Sequence, residues 1–138
     1  MNGIPRRVWL EISLETLTQN YHKIAAAVAP AEVLVVLKAN AYGLGVVAIA
    51  RALSEAGASA FGVAEPYEAL QLLPLGKPVQ ILSSVLPDEI ESMVAAGVTL
   101  PVTDLPMARL ISDAAVRLGK TATVHFKIDT GMGRLGIL

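Results

Sequence analysis

A chain of 138 residues, 54% hydrophobic and 17% charged, is long enough to bury a core, and its net charge of −1 offers no basic face to nucleic acid or to an anionic membrane. It has no cysteine, which excludes disulfides, thiol nucleophiles and cysteine metal sites; its two histidines, His22 and His125, are too few for a histidine-built metal centre. No apolar run approaches the ~18 residues of a membrane span, and the start carries no cleavable signal pattern. The expectation is therefore a cytoplasmic protein with neither membrane nor nucleic acid as partner.

In chain order, residues 8–12 (VWLEI) alternate apolar and polar and predict a short N-terminal strand within residues 1–12. Ser13 is placed to cap a helix whose apolar residues Leu14, Leu17, Tyr21, Ile24 and Val28 recur at helical spacing, and Pro30 ends it. Tyr21 and His22 on that helix read as packing and surface residues. Residues 33–37 (VLVVL) run apolar without alternation and predict a strand buried on both faces. Val46–Ala56 is the next helix, closed by Gly57.

Ala60–Ala64 predicts a second buried strand, Pro66 opens a helix to about Leu73, and Val79–Leu82 predicts a third strand. Pro87, Asp88, Glu89 and Glu91 open a helix with carboxylates in its first turn, closed by Gly97. Val98–Val102 is a fourth strand, Thr103 and Asp104 cap a helix to Leu118, and Thr121–Asp129 is a fifth strand. Strand and helix alternate with short connections, the pattern of right-handed βαβ units around a parallel sheet. A doubly wound sheet and a barrel both fit that pattern.

Chemistry concentrates where these strands end. Lys38 closes the first strand, where a cation must be solvated, paired or used covalently. Its bland reading is a lysine whose stem lies along the strand while its ammonium reaches water. The sharper one is a Schiff-base lysine, with Tyr42 supplying a hydroxyl and Gly43 and Gly45 letting backbone amides approach an anion near a helix start. Glu65, the Ser83–Ser84 pair and Asp104 follow at later strand ends. In residues 125–136 (HFKIDTGMGRLG), period two puts His125, Lys127 and Asp129 on one face of a strand. They form either a solvated strand end with a Lys127–Asp129 ion pair or part of a site. Gly131 and Gly133 then turn the chain to present Arg134, whose planar fork suits a carboxylate.

Two of these stretches resemble the signatures of alanine racemases. Lys38 to Gly45 matches seven of the eight positions of Lys-Ala-Asn-Ala-Tyr-Gly-His-Gly, with Leu44 where the family usually has His. Lys127, Asp129, Thr130, Gly131, Met132, Arg134 and Gly136 match Lys-x-Asp-Thr-Gly-Met-x-Arg-x-Gly, in the family's order and rough spacing. The resemblance implies an α/β fold: a partial (β/α)8 TIM barrel of about five parallel strands alternating with helices. Residues 1–138 would be the N-terminal part of the barrel domain, without the rest of the barrel and the C-terminal β-domain.

The resemblance further implies an isomerase that interconverts L- and D-alanine, supplying D-alanine for peptidoglycan of the cell wall. It would act as a homodimer with pyridoxal 5'-phosphate as cofactor and no metal. Lys38 would hold the cofactor as a Schiff base and act as one base on the substrate's α-proton, Tyr42 would bind the cofactor phosphate, and Arg134 would meet both cofactor and substrate carboxylate. Lys127 matches a position that many members carry as a carbamate. The second base, a tyrosine of the partner subunit, and further phosphate contacts would lie beyond Leu138, so these 138 residues alone are expected not to racemise alanine. Another enzyme on the same barrel, such as a broader racemase or a decarboxylase, and a non-catalytic cofactor carrier are the alternatives.

Overall fold

The computed structural model describes residues 7–138; the expected N-terminal strand falls partly on residues 1–6, outside the described residues. Its remainder, Val8–Ile12, forms no strand. Val8, Trp9 and Leu10 stay 84%, 68% and 69% exposed, because no neighbouring backbone among the described residues offers a ladder. The first helix, Leu14–Val28, starts where Ser13 Oγ accepts the Thr16 amide at 3.1 Å. It buries no residue fully, but Tyr21 packs on the core and its hydroxyl donates to the Gly57 carbonyl at 2.9 Å. His22 meets Tyr21 edge to face at 5.6 Å, and neither lines the cavity at the carboxyl ends of the strands, so both serve packing and surface.

Five short strands follow: β1 Leu34–Val36, β2 Ala60–Val63, β3 Val79–Ile81, β4 Leu100–Val102 and β5 Val124–Phe126. β1 pairs with β2, β2 with β3 and β4 with β5, all parallel. A parallel bridge between Gln80 and Thr99, with Ile81 N donating to Thr99 O at 3.0 Å and Thr99 N to Val79 O at 2.9 Å, joins the two groups. The sheet therefore runs β1-β2-β3-β4-β5 in strict sequence order. A doubly wound sheet reverses direction after its first strands, whereas this order advances one strand at a time, as a barrel does. The alternative left open by the sequence is settled by that order, and the described residues form a portion of a barrel.

Helices Val46–Glu55, Pro66–Leu72, Ile90–Ala96 and Leu105–Leu118 cover the outside. Between them and the sheet lie Phe61, Val63, Val79, Ile81, Leu100 and Val102 at alternate strand positions, each at most 3% exposed. The intervening positions, Val36, Gly62 and Gln80, stand in register on the inner face. Gly62 leaves room there for two leucines: a Cβ would come within 2.8 Å of Leu82 Cδ1 and 3.2 Å of Leu34 Cδ2, so those side chains would have to shift.

Two strands differ from expectation. β1 is half-buried along its length instead of buried on both faces, because its inner face opens on a cavity. β5 is three residues long, with Val124 and Phe126 exposed at 38% and 68% on the face that no described helix covers. The helix expected from Pro87 begins at Ile90, after a turn in which Glu89 Oε2 takes the Leu86 amide at 2.7 Å.

Asp104 caps Leu105–Leu118 by accepting the Met107 amide at 2.7 Å. Asp104→Ala is expected to cost about 0.5–2 kcal/mol, read as a lower urea midpoint; an unchanged midpoint would mean water replaces the cap without loss.

Candidate functional site at the carboxyl ends of the strands

The chain leaves β1 in an uncommon conformation. Ala39, Asn40 and Ala41 have φ of 52°, 54° and 54°, and Tyr42 has 57°, so four consecutive residues form a left-handed helical turn. Such a conformation costs an L-residue roughly 1–2 kcal/mol, and asparagine alone among the four tolerates it readily. The surroundings over-determine it. Gly43 N bonds Ala39 O at 2.8 Å, Gly45 N bonds Asn40 O at 3.0 Å, and Asn40 Oδ1 accepts the Val46 amide at 2.8 Å. Ala41, 2% exposed, is pressed into the core.

This turn overturns one expectation. The amides of Gly43, Leu44, Gly45 and Val46 are all taken up within the turn, so they form no backbone cradle for an anion. What the turn does is aim side chains: Lys38 and Tyr42, one left-handed turn apart, both reach the same cavity, with the Lys38 ammonium 5.9 Å from the Tyr42 ring centre.

That cavity measures about 840 Å³ and lies over the carboxyl ends of the strands. Its polar groups are Lys38, Tyr42, Gln80, Ser83, Lys127 and Arg134, with His125 at the base and Val36 and Leu82 among its apolar walls. Lys38, Tyr42, Lys127 and Arg134 are thus brought together. Glu65 and Asp104 are not. Glu65 borders a separate recess of about 400 Å³ behind the left-handed turn, and Asp104 is spent on its helix cap. Ser83 is partly committed, its Oγ donating to the Ala64 carbonyl.

The expected face of three polar residues on β5 divides. Lys127 makes no ion pair with Asp129; its Nζ donates to the Leu82 carbonyl, inside the cavity. Asp129 instead organises the loop beyond, accepting the amides of Gly131 at 2.9 Å and Gly133 at 3.1 Å through Oδ1 and of Arg134 at 3.0 Å through Oδ2. Those bonds, Gly131's first, hold its carboxyl below the ordinary carboxylate range. The loop returns alongside β5, where Ile137 N donates to Lys127 O at 2.7 Å and Asp129 N to Ile137 O at 2.9 Å. Asp129 is therefore a loop-building residue that fixes Arg134 from below.

His125 has a buried Nδ1 without a hydrogen-bond partner among the described residues. Burial, and then the nearby Lys127 ammonium, hold its imidazolium below the ordinary 6.5. Because the folded value is the lower one, the unfolded chain binds the proton first as pH falls. Stability from the neutral ring is complete above about pH 6.5 and is lost as pH falls through the folded value. His125→Gln is expected to flatten the acid limb of stability below about pH 6.5, measured by urea unfolding at stepped pH; limbs of equal slope would contradict it.

Among the described residues no group of three or more His, Asp or Glu is placed to hold a metal ion, and no helix is long and apolar enough to cross a membrane.

The strand order defines a portion of a (β/α) barrel domain, and the cavity at its carboxyl ends is lined by Lys38, Lys127 and Arg134 among others. The chain matches the family "Alanine racemase, N-terminal domain" over residues 12–138. It belongs to that family. An alanine racemase of Desulforamulus reducens is 42% identical over 132 residues, covering 94% of this chain and 36% of the relative. The alanine racemase structure from Clostridium difficile 630 superposes with a TM-score of 0.90 at 32% identity, over 99% of this chain and 37% of that one. The alanine racemase from Bartonella henselae with covalently bound pyridoxal phosphate gives 0.84 at 32% identity, over 91% and 36%. A histidine racemase from Leuconostoc mesenteroides gives 0.82 at 29%, over 89% and 34%. The chain thus spans little more than a third of the proteins it matches.

Proposed function

We propose that this chain supplies the lysine-bearing half of a pyridoxal phosphate site and that the whole protein interconverts L- and D-alanine. The observation that carries this reading is the convergence of Lys38, Tyr42, Lys127 and Arg134 on one cavity at the strand ends. The residues fit the cofactor: about 840 Å³ lies within the roughly 300–1,000 Å³ of small-molecule sites. An exposed primary amine stands at its rim, and apolar walls from Val36 and Leu82 can flank a ring.

When bound, pyridoxal phosphate supplies an electron sink that acidifies the Cα–H of an amino acid. The chain's own residues do the rest. Lys38 Nζ would anchor the cofactor covalently and then, released, take or return the α-proton on one face. Tyr42 Oη, carried at the end of the left-handed turn, would donate to the phosphate. Arg134 would hold the carboxylate through two parallel N–H donors, which fixes the α-carbon against Lys38. Lys127 stands within the cavity beside His125, where conversion to a carbamate would replace a cation with an anion facing Arg134.

The opposite face needs a second acid–base group, and a tyrosine of a partner subunit in a homodimer is the group we assign to it. The rest of the barrel and a C-terminal β-domain would complete the site, so residues 1–138 alone are expected to bind without racemising. D-alanine for the cell wall is the product this activity would provide, from the cytoplasm.

The test is exchange of the α-proton of L-alanine in deuterated water by the full protein, followed by chiral analysis. Deuterated D-alanine is expected. Cofactor binding with no exchange would replace the reading with a carrier. A second reading, racemisation of a larger amino acid, is favoured by the fold shared with the histidine racemase; turnover of histidine in preference to alanine would establish it.

A further inference from the structure

One carboxylate outside the cavity ties its lysine to the barrel. Glu68, in the first turn of Pro66–Leu72, accepts the Ala39 amide through Oε1 and the Ala64 amide through Oε2 at 2.8 Å, with the Glu65 amide at 3.2 Å on the same oxygen. Ala39 directly follows Lys38, and Ala64 is the first residue beyond β2. Both amides belong to adjacent strand ends where the ladder has run out, and neither has another hydrogen-bond partner among the described residues. Without the carboxylate each would face a recess with its donor unmet, which is the costly way to lose a hydrogen bond.

The position of the clamp matters more than its strength. Ala39 is the first of the four left-handed residues, so the peptide joining Lys38 to Ala39 sets the direction in which the whole turn departs. If that peptide rotates, Lys38 and Tyr42 no longer share one cavity, because both depend on the same strained turn. A carboxylate suits this position because it has two acceptor oxygens and no donor, and it can take three amides from two strand ends at once. Its charge is also favourable in the first helical turn, so a purely structural helix-start role is the competing explanation.

We propose that Glu68 is a positioning residue for Lys38: by clamping the Ala39 and Ala64 amides it sets the left-handed turn that aims the lysine and Tyr42 into the cavity. This rests on the proposed role of Lys38. Glutamine would keep the shape of Glu68 but turn an NH2 donor toward one of the two amide donors. Aspartate would keep the charge at the helix start but is one methylene too short to span both strand ends.

The experiment compares the full protein as wild type, Glu68→Gln and Glu68→Asp. One readout is amide hydrogen exchange at Ala39 and Ala64. The other is the rate at which Lys38 is labelled by pyridoxal phosphate with borohydride, against Lys77 and Lys120 as internal references. Both variants are expected to speed exchange at the two amides and slow Lys38 labelling by about tenfold, the scale of one lost charge-assisted hydrogen bond, while the reference lysines and the Phe61 amide stay unchanged. If Glu68→Gln fails to fold, Glu68→Asp decides, since it preserves the helix-start charge. Wild-type labelling and exchange in Glu68→Asp would overturn the clamp and leave Glu68 as a helix-start residue. Were Lys38 not selectively labelled in the wild type, the proposed cofactor role would fail instead, and the amide exchange would still decide the clamp.

Discussion

Lys38→Ala is expected to lower alanine racemisation by the full protein by at least about 10³-fold, within the range over which a positioned acid–base group contributes. On the proposed mechanism two functions would disappear together, covalent anchoring of the cofactor and proton transfer on one face, so added amine should restore only a small part. Lys38→Arg should fare no better, because a guanidinium stays protonated and supplies no free amine. The fold should be untouched. Lys38 is exposed at a strand end, and neither the Gly43–Ala39 bond nor the Asn40 cap involves its side chain. The check is chiral analysis of alanine with wild type and variants at equal fold content, judged by circular dichroism. Activity retained within tenfold would remove Lys38 from the chemistry and with it the proposed function.

The second large effect is structural. Gly136 has φ of 132°, outside the range L side chains adopt easily. A Cβ there would sit 2.8 Å from the amide nitrogen of Asp129, 2.8 Å from the carbonyl oxygen of Lys127 and 3.1 Å from the carbonyl carbon of Ile128. All three are backbone atoms of the strand end, so none can swing aside as a flexible side chain would. Gly136→Ala combines this overlap with positive-φ backbone strain and should cost about 2–4 kcal/mol.

The chain can escape only by lifting the returning segment off β5, which breaks the Ile137–Lys127 and Asp129–Ile137 bonds. Arg134 rides on that segment. Gly136→Ala should therefore lose amide protection at Asp129 and Ile137 and weaken carboxylate binding together, while the Phe61 core stays protected. Protection and binding equal to wild type would show that the segment has room that the backbone distances deny.

The two regions differ in how far they could be read from residues alone. Periodicity and caps located the helices to within a few residues, because Ser13, Pro66, Asp104, Gly97 and Gly119 act on their immediate neighbours. The five strands from Leu34 onward were equally local to read, whereas the strand expected at residues 8–12 does not form among the described residues, and strand order was not local at all. It rests on the Gln80–Thr99 bridge between residues that no pattern pairs, and it is this bridge that separates a barrel from a doubly wound sheet.

The site motifs pointed to Lys38, Tyr42, Lys127 and Arg134, and the structure gathers all four at one cavity. Their supports were invisible. The glycines around residue 44 suggested an anion cradle, yet the strain sits on Ala39, Asn40, Ala41 and Tyr42 and consumes those amides. An alanine in a left-handed turn leaves no local trace, since nothing in its side chain asks for that conformation. Asp129 read either as an ion-pair partner of Lys127 or as part of a site, whereas the tight glycine turn brings three amides to it first. Glu68 has the look of an ordinary first-turn acid; its second contact depends on a strand end 29 residues away along the chain.

The most direct measurement is borohydride reduction of the full protein after mixing with pyridoxal phosphate, followed by peptide mass mapping. Residues 1–138 offer five lysines, Lys23, Lys38, Lys77, Lys120 and Lys127, so the map discriminates among them. One dominant adduct on Lys38, with Lys127 in the same cavity left free, is the expected result. An adduct spread over Lys23, Lys77 and Lys120, or centred on Lys127, would contradict the assignment of Lys38 as the lysine that holds the cofactor.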